Sequence, residues 1–165
     1  MSFSPYTKII QDNQQFMEDL VKYMFPTSIL DFPTTNYNSK RLNFDSIVKS
    51  ASGLPVAFIN SSVRLTSSRC FCSAIIDYSK AQRLLMLADV APAMVAGWYQ
   101  SDGLLYLYRL DKQGGLSHTA KRCVKKTPVS YVNKHKENSE LIEIPFNACW
   151  LFSYKQRSVK LLQRP

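Results

Sequence analysis

The residues with the clearest chemical potential lie at two neighbouring apolar stretches. Asp45 is the acid in the first stretch, and the second ends in Asn60-Ser61-Ser62. Metal-dependent hydrolysis of a phosphodiester needs carboxylates on adjacent strands to hold Mg2+, which neutralises the phosphoryl oxygens and generates hydroxide from water. Asp45 suits the first carboxylate, whereas an amide and hydroxyls stand where a second carboxylate and a lysine would be needed. The alternative for Asp45 is a turn cap or an ion pair with Arg41 or Lys49.

Hydrophobic periodicity and turn residues predict the elements that must position these side chains. Pro55 should begin its strand because it cannot donate to a ladder, and Asp77 should cap the helix that follows it. The continuous apolar run before Asn60 indicates a strand covered on both faces. The expected elements are a helix over Tyr6–Phe25, a loop over Thr27–Lys40, strands over Arg41–Lys49 and Leu54–Val63, a helix over Tyr78–Val90, and a hairpin of Ala93–Tyr99 and Leu104–Leu110 around Ser101-Asp102-Gly103.

This order of elements resembles the core of the PD-(D/E)XK nuclease superfamily, also called the restriction-endonuclease-like fold. The resemblance covers about residues 6 to 110 and is one of layout. It implies an α/β fold with a central mixed sheet flanked by helices. The stretches that carry it are Asn43–Val48, Val56–Val63, Ile76–Leu85 and the hairpin over Ala93–Leu110.

The resemblance also implies a site and an activity. Asp45 would be a Mg2+ ligand, and Asn60, at the position of the second carboxylate, would be a weak second ligand. Ser62 takes the place of the lysine, and it would lie near the attacking water together with Arg64. Glu18 would be an outer contributor from the first helix. The implied protein is a DNA-binding, Mg2+-dependent endonuclease of the homing, restriction or junction-resolving type, acting as a homodimer or higher homo-oligomer.

Charge points to nucleic acid independently of the layout. The chain has 21 Lys and Arg against 12 Asp and Glu, a net charge of +9. Eight of those cations and one acid lie between Arg109 and Lys136, and such clustering favours a surface that faces phosphates, with a solvated basic loop as the alternative. The partner expected is double-stranded DNA, contacted by Lys40, Arg41, Arg69, Lys121, Arg122, Lys125, Lys126, Lys134 and Lys136.

Several other classes of function receive no support from the sequence. The five glycines are scattered, so no phosphate-binding loop is expected, and His118 and His135 have no nucleophile-elbow pattern near them. The N-terminus lacks the features of a signal peptide and no apolar run is long enough to span a membrane, so a soluble intracellular protein is expected. Four cysteines are better explained as buried thiols than as a zinc site: Cys70, Cys72, Cys123 and Cys149.

A single domain over residues 1–165 is expected, with a nuclease-like core and a basic, aromatic extension over 111–165. Within that extension we predict a basic loop with a short helical turn near Thr119–Val124, a strand over Glu140–Ile144 and a basic tail over Lys155–Pro165. The aromatic stretch Trp150–Tyr154 is either core or a protein-interaction patch. Three hypotheses therefore stay open, namely a nuclease, a nuclease-like domain that binds nucleic acid without cleaving it, and an unrelated α/β interaction domain.

Overall fold

The computed structural model describes residues 5–33, 45–70, 73–110, 121–126 and 138–165. These residues form two α-helices and ten strands, with short 3-10 turns at Ser68–Cys70 and Phe146–Ala148. The helices and strands are α1 Pro5–Met24, β1 Ile29–Asp31, β2 Ser46–Lys49, β3 Pro55–Arg64, β4 Ser73–Asp77, α2 Tyr78–Leu85, β5 Ala93–Tyr99, β6 Leu104–Arg109, β7 Lys121–Lys126, β8 Asn138–Pro145, β9 Trp150–Lys155 and β10 Ser158–Gln163.

The strands form one large mixed sheet and one small antiparallel sheet. The large sheet has the order β1-β2-β3-β5-β6-β9-β10, in which β3 and β5 run parallel and the other neighbours run antiparallel. A parallel pair needs a long crossover, and here the crossover contains β4 and α2. The small sheet has the order β4-β8-β7. The expected α/β class with a mixed sheet is confirmed, whereas the second sheet was not predicted.

Each face of the large sheet has its own hydrophobic core. Helix α1 buries Phe16, Met17 and Leu20 on one face, against Ile59 of β3. On the other face, Phe58 packs in a cluster that includes residues of α2, β4 and β8. The prediction that β3 is covered on both faces is therefore confirmed, and the polar sequence Asn60-Ser61-Ser62 follows directly after its buried residues.

The local predictions that rest on clear cap, proline or turn residues are confirmed. Helix α1 and the β5–β6 hairpin match the expected boundaries within a residue, and Pro55 begins β3. Asp77 caps α2, since its side chain accepts a hydrogen bond from the backbone N–H of Lys80 at 3.1 Å. The helix ends at Leu85 rather than Val90, because the chain tightens into turns such as the one closed by Val90 N–H and the Leu87 carbonyl.

Three predictions for edge segments are wrong. The helical turn near Thr119–Val124 is replaced by β7, and the basic tail contains β10. The loop expected over Thr27–Lys40 includes β1, while its residues 34–40 lie outside the described part of the chain. The segments of β1 and β7 lack a pronounced apolar alternation, and each pairs with an adjacent strand. Strand β10 does alternate, with Val159 and Leu161 half-buried between exposed residues, and this pattern was hidden by the basic side chains around it.

The C-terminal residues belong to the body of the protein. Strand β9 pairs with β6 and thereby extends the large sheet, and Phe152 and Tyr154 are buried against α1. The aromatic stretch there is thus packed in the core. Cys149 is a buried free thiol, and burial raises its pKa to about 12. Among the described residues, no helix is both long and apolar enough to cross a membrane.

Candidate functional site

Asp45 lies beside Asn60 at the start of β2. The antiparallel register pairs Ser46 of β2 with Ile59 of β3. Asp45, which precedes Ser46, therefore lies next to Asn60, which follows Ile59. The backbone N–H of Asp45 donates to the Ile59 carbonyl at 3.0 Å, and its Oδ2 accepts from the backbone N–H of Ser61 at 2.8 Å. These two hydrogen bonds fix the carboxylate against β3, as the sequence predicted for residues on neighbouring strands.

The Asp45 carboxyl lies in a mixed electrostatic environment. Burial of the carboxyl raises its pKa, even though part of the residue is exposed to solvent. The hydrogen bond from Ser61 and the ammonium of Lys80 oppose this shift. Lys80 comes from the first turn of α2, whose start is fixed by the Asp77 cap. A cation near Asp45 is therefore present, but it comes from the helix rather than from β3.

A second helix reaches the site through Asn13 of α1. Its Nδ2 donates to the hydroxyl of Ser61 at 3.0 Å, so Ser61 links Asn13 to Asp45. The Oδ1 of Asn13 is buried and has no hydrogen-bond partner within the described part of the chain. A buried acceptor without a donor is costly, and this oxygen belongs to the same amide that donates to Ser61. Nothing in the sequence indicates Asn13 beyond its place among polar helix residues.

Ser62 and Arg64 follow Asn60 on the same face of β3 and point into the core between the two sheets. Ser62 is in register with Gly97, and a Cβ on Gly97 would lie 2.4 Å from the Tyr106 ring. Burial raises the pKa of Tyr106, while nearby Ser62 and Arg64 lower it; the phenol nevertheless has no partner with good hydrogen-bond geometry. Arg64 donates to the Ile75 carbonyl of β4.

The position assigned to the lysine is thus occupied by a hydroxyl that neighbours a buried phenol. The guanidinium of Arg64 is engaged in joining β3 to β4. Neither residue has a described contact with Asp45.

Glu18 lies apart from these residues. It is exposed on α1, where its carboxylate accepts from Gln15 Nε2 at 3.4 Å and lies close enough to raise the pKa of Arg157 in the β9–β10 turn. The five positions between Asn13 and Glu18 turn the helix by about 140°. The structure therefore brings Asn13, and not Glu18, to β3 at Ser61.

The expected phosphate contacts are only partly described. Arg69 is exposed in a 3-10 turn. The backbone of Lys121, Arg122, Lys125 and Lys126 forms β7, which is the edge strand of the small sheet and pairs with β8. Lysine on an edge strand also discourages pairing with other chains, which is the alternative to a role in binding. Lys40, Arg41, Lys134 and Lys136 lie outside the described residues.

The donor atoms do not fit a resident Mg2+ ion. No group of three or more His, Cys, Asp or Glu that could hold a metal occurs among the described residues. Asp45 supplies one carboxylate, one oxygen of which already accepts from Ser61, and its cross-strand neighbour Asn60 carries a neutral amide. Mg2+ binds through one or two carboxylates and substrate phosphates, so this site lacks charge for the ion by itself.

The arrangement as a whole is a polar cluster at the β2–β3 pair, made of Asp45, Asn60 and Ser61. Lys80 of α2 approaches it from one face of the sheet, and Asn13 of α1 contacts the Ser61 hydroxyl from the other. The sequence indicated the first two, and packing adds the helical residues. No model of a known protein family matches this chain, and no curated protein matches it.

Proposed function

We propose that this protein is a nucleic-acid-binding domain built on a restriction-endonuclease-like core, and that it binds double-stranded DNA without cleaving it. The observation that carries the proposal is the position of Asp45 beside Asn60 on β2 and β3, followed by helix α2 and the parallel strand β5. That order of helix, strand with acid, strand, helix and hairpin is the layout of the nuclease core.

Charge supports a polyanionic partner. The chain carries a net charge of +9, and exposed cations occur on several described elements, among them Lys80 of α2 and Arg69 in the turn before β4. Contacts between such cations and phosphates release counterions, which makes the affinity strongly dependent on salt. A domain with this composition is expected to bind the phosphate backbone of DNA rather than to make a few contacts with bases.

Binding without cleavage follows from the site chemistry. Hydrolysis needs a metal to activate water and stabilise charge on the phosphoryl group, and Asp45 is the one carboxylate of the cluster. Ser62 neighbours the buried phenol of Tyr106 rather than providing a cation. In this proposal the cluster keeps the layout of a cleavage site, while its described residues lack the charges that cleavage requires.

The test is DNA affinity as a function of salt. We expect log affinity for duplex DNA to fall linearly with log salt, with a slope of about 0.9 for each phosphate contacted. In the absence of divalent metal, Asp45→Asn should tighten binding because it removes a negative charge beside the phosphates. Glu18→Gln is the matched control, since it removes an exposed carboxylate far from Asn13, and it should leave affinity unchanged. Affinity that is absent or independent of salt would refute the proposal.

A second candidate function is Mg2+-dependent endonuclease activity, which the cation of Lys80 near Asp45 favours. The phosphate of a bound substrate would then have to supply the ligands that the chain lacks. Incubation with supercoiled, branched and linear DNA in Mg2+ or Mn2+ distinguishes the two functions. Cutting that is abolished by Asp45→Ala supports the enzyme, and binding without cutting supports the first proposal. Cleavage of both strands would also require two sites, so the enzyme should sediment as a dimer.

A further inference from the structure

An open cleft lies on the α1 side of the large sheet. It has a volume of about 460 Å³ and is enclosed by α1, the β5–β6 turn and the β9–β10 turn. This size falls within the range of roughly 300 to 1,000 Å³ that is usual for small-molecule sites. The cleft does not include Asp45, Asn60 or Ser61, so it is distinct from the cluster described above.

The walls of the cleft are fixed by contacts between its three elements. Tyr154 donates its hydroxyl to Asp19 of α1 at 2.7 Å, and the guanidinium of Arg157 donates to both oxygens of the same carboxylate at 3.4 and 3.2 Å. Trp98 packs edge-on against Tyr154 with ring centroids 5.0 Å apart. The cleft therefore exists before any ligand binds, which reduces the entropy that binding must overcome.

Two carboxylates line the cleft as fixed acceptors. Asp12 accepts from Gln100 Nε2 at 3.2 Å. Asp102 accepts from the hydroxyls of Ser68 and Ser67, and these hydrogen bonds lower its pKa. Asp102 also accepts from the backbone N–H of Ser68 and the hydroxyl of Ser101, so its four hydrogen bonds fill the roughly four acceptor sites of an ionised carboxylate, whereas Asp12 can accept more. Amino groups on a ligand are the donors that such acceptors bind.

Two cations stand on the other side of the cleft. Lys155 and Arg157 line it from the β9–β10 turn, and both are exposed to solvent. With Asp12 and Asp102 they make the lining electrically balanced, so neither a simple anion nor a simple cation is favoured. A ligand that carries a planar base with an amino group, joined to a phosphate, matches the aromatic wall, the acceptors and the cations together.

We propose that this cleft binds an unstacked nucleotide of single-stranded nucleic acid, with an amino-bearing base towards Asp12 and Trp98 and its phosphate towards Lys155 and Arg157. The inference rests on the proposed function and names a second site for it. Cytosine, with its exocyclic amino group, should bind better than thymine, which has none. The protein would thus contact duplex and single strand at different surfaces.

The test uses tryptophan fluorescence. The chain has two tryptophans, Trp98 and Trp150, so Trp150→Phe leaves the cleft residue as the sole reporter. Titration with oligodeoxycytidylate should change the emission of Trp98, and oligothymidylate should bind more weakly. Lys155→Ala should reduce the dependence of log affinity on log salt by about 0.7, the contribution of one single-strand phosphate contact. Lys160→Ala removes the same charge from the same hairpin without lining the cleft, and it should leave the dependence unchanged.

The outcomes separate this inference from the function on which it rests. Duplex binding that persists while Trp98 does not respond to either oligonucleotide would overturn the cleft site and leave the proposed function standing. Equal effects of Lys155→Ala and Lys160→Ala would also overturn the cleft site, because the hairpin would then act only as diffuse charge. Failure to bind any nucleic acid would overturn both proposals.

Discussion

Asp45 is held where its charge is unfavourable for folding. Burial raises the pKa of its carboxyl, so the folded protein retains this proton to higher pH than the unfolded chain. Ionisation of Asp45 therefore does not affect the free energy of unfolding below the ordinary pKa of 3.8. It lowers that free energy as the pH rises from 3.8 through the raised pKa. Residues that are kept at a cost to stability are typical of functional sites.

Asp45→Asn should therefore stabilise the protein at neutral pH. The amide oxygen can still accept from the Ser61 N–H, while the cost of ionisation is lost. The gain should be below about 1 kcal/mol, because solvent screens the partly exposed carboxylate, and it corresponds to a rise of a few degrees in Tm. Thermal unfolding of both proteins across pH checks this, with the difference shrinking as pH falls towards 3.8. A gain that is independent of pH would contradict the assigned cause.

The sequence could indicate Asp45 and Asn60 because both follow from strand order and register. It could not indicate Asn13 or Lys80, since helical polar residues look alike until packing fixes which of them faces the sheet. Lys80 would ordinarily be assigned to solvent, and it is in fact exposed while still close enough to lower the pKa of Asp45. Long-range contacts of this kind depend on the tertiary arrangement and leave no local pattern.

At the scale of elements, the β9–β10 turn combines strained backbone conformations with an ion pair to α1. Gln156 and Arg157 both have positive φ, 49° and 63°, in a two-residue loop where Asn and Gly are preferred. The cost of this backbone conformation is offset by Arg157, whose guanidinium donates hydrogen bonds to both oxygens of Asp19. Asp19 has a side chain only 12% exposed and also accepts from Tyr154, so the ion pair fixes the hairpin to α1.

Two substitutions in this turn should act in opposite directions. Gln156→Asn should raise stability by a few tenths of a kcal/mol, because asparagine adopts positive φ at lower cost. Arg157→Gly fits the turn still better, yet it should lower stability because Asp19 loses its cation. The midpoints of urea unfolding test both changes. If Arg157→Gly were the more stabilising of the two, the ion pair would contribute less than the turn strain.

Element boundaries could be predicted wherever a segment carries its own signals. The β5–β6 hairpin has a Ser-Asp-Gly turn between apolar strands, and α2 has its cap at Asp77. Strands β1, β7 and β10 are edge strands, and each pairs with a single neighbouring strand. For β7 in particular, Lys121–Lys126 is mostly cationic, so its pairing with β8 is the determining interaction and lies outside the local sequence.

At the scale of the whole molecule, two side chains connect the sheets through the backbone of β4. Arg64 of β3 donates to the Ile75 carbonyl, and the Tyr99 hydroxyl of β5 donates to the Ser73 carbonyl at 3.1 Å. Burial raises the pKa of Tyr99, so it remains a neutral donor. The small sheet, with three strands, should be the less stable of the two and should open more readily than the large one.

Tyr99→Phe should therefore loosen the small sheet selectively. The change leaves the ring in the core but strips the Ser73 carbonyl of its donor, at a cost of about 1 to 3 kcal/mol for a buried unsatisfied group. Amide hydrogen exchange should become faster in β4 and β8, while amides of β2 and β3 keep their protection. Tyr106→Phe serves as a control within the same core, because the hydroxyl that it removes has no partner with good hydrogen-bond geometry among the described residues. Equally faster exchange in both sheets would show that they unfold as one cooperative unit. The contacts of Arg64 and Tyr99 would then belong to a single core and would not connect two separately stable sheets.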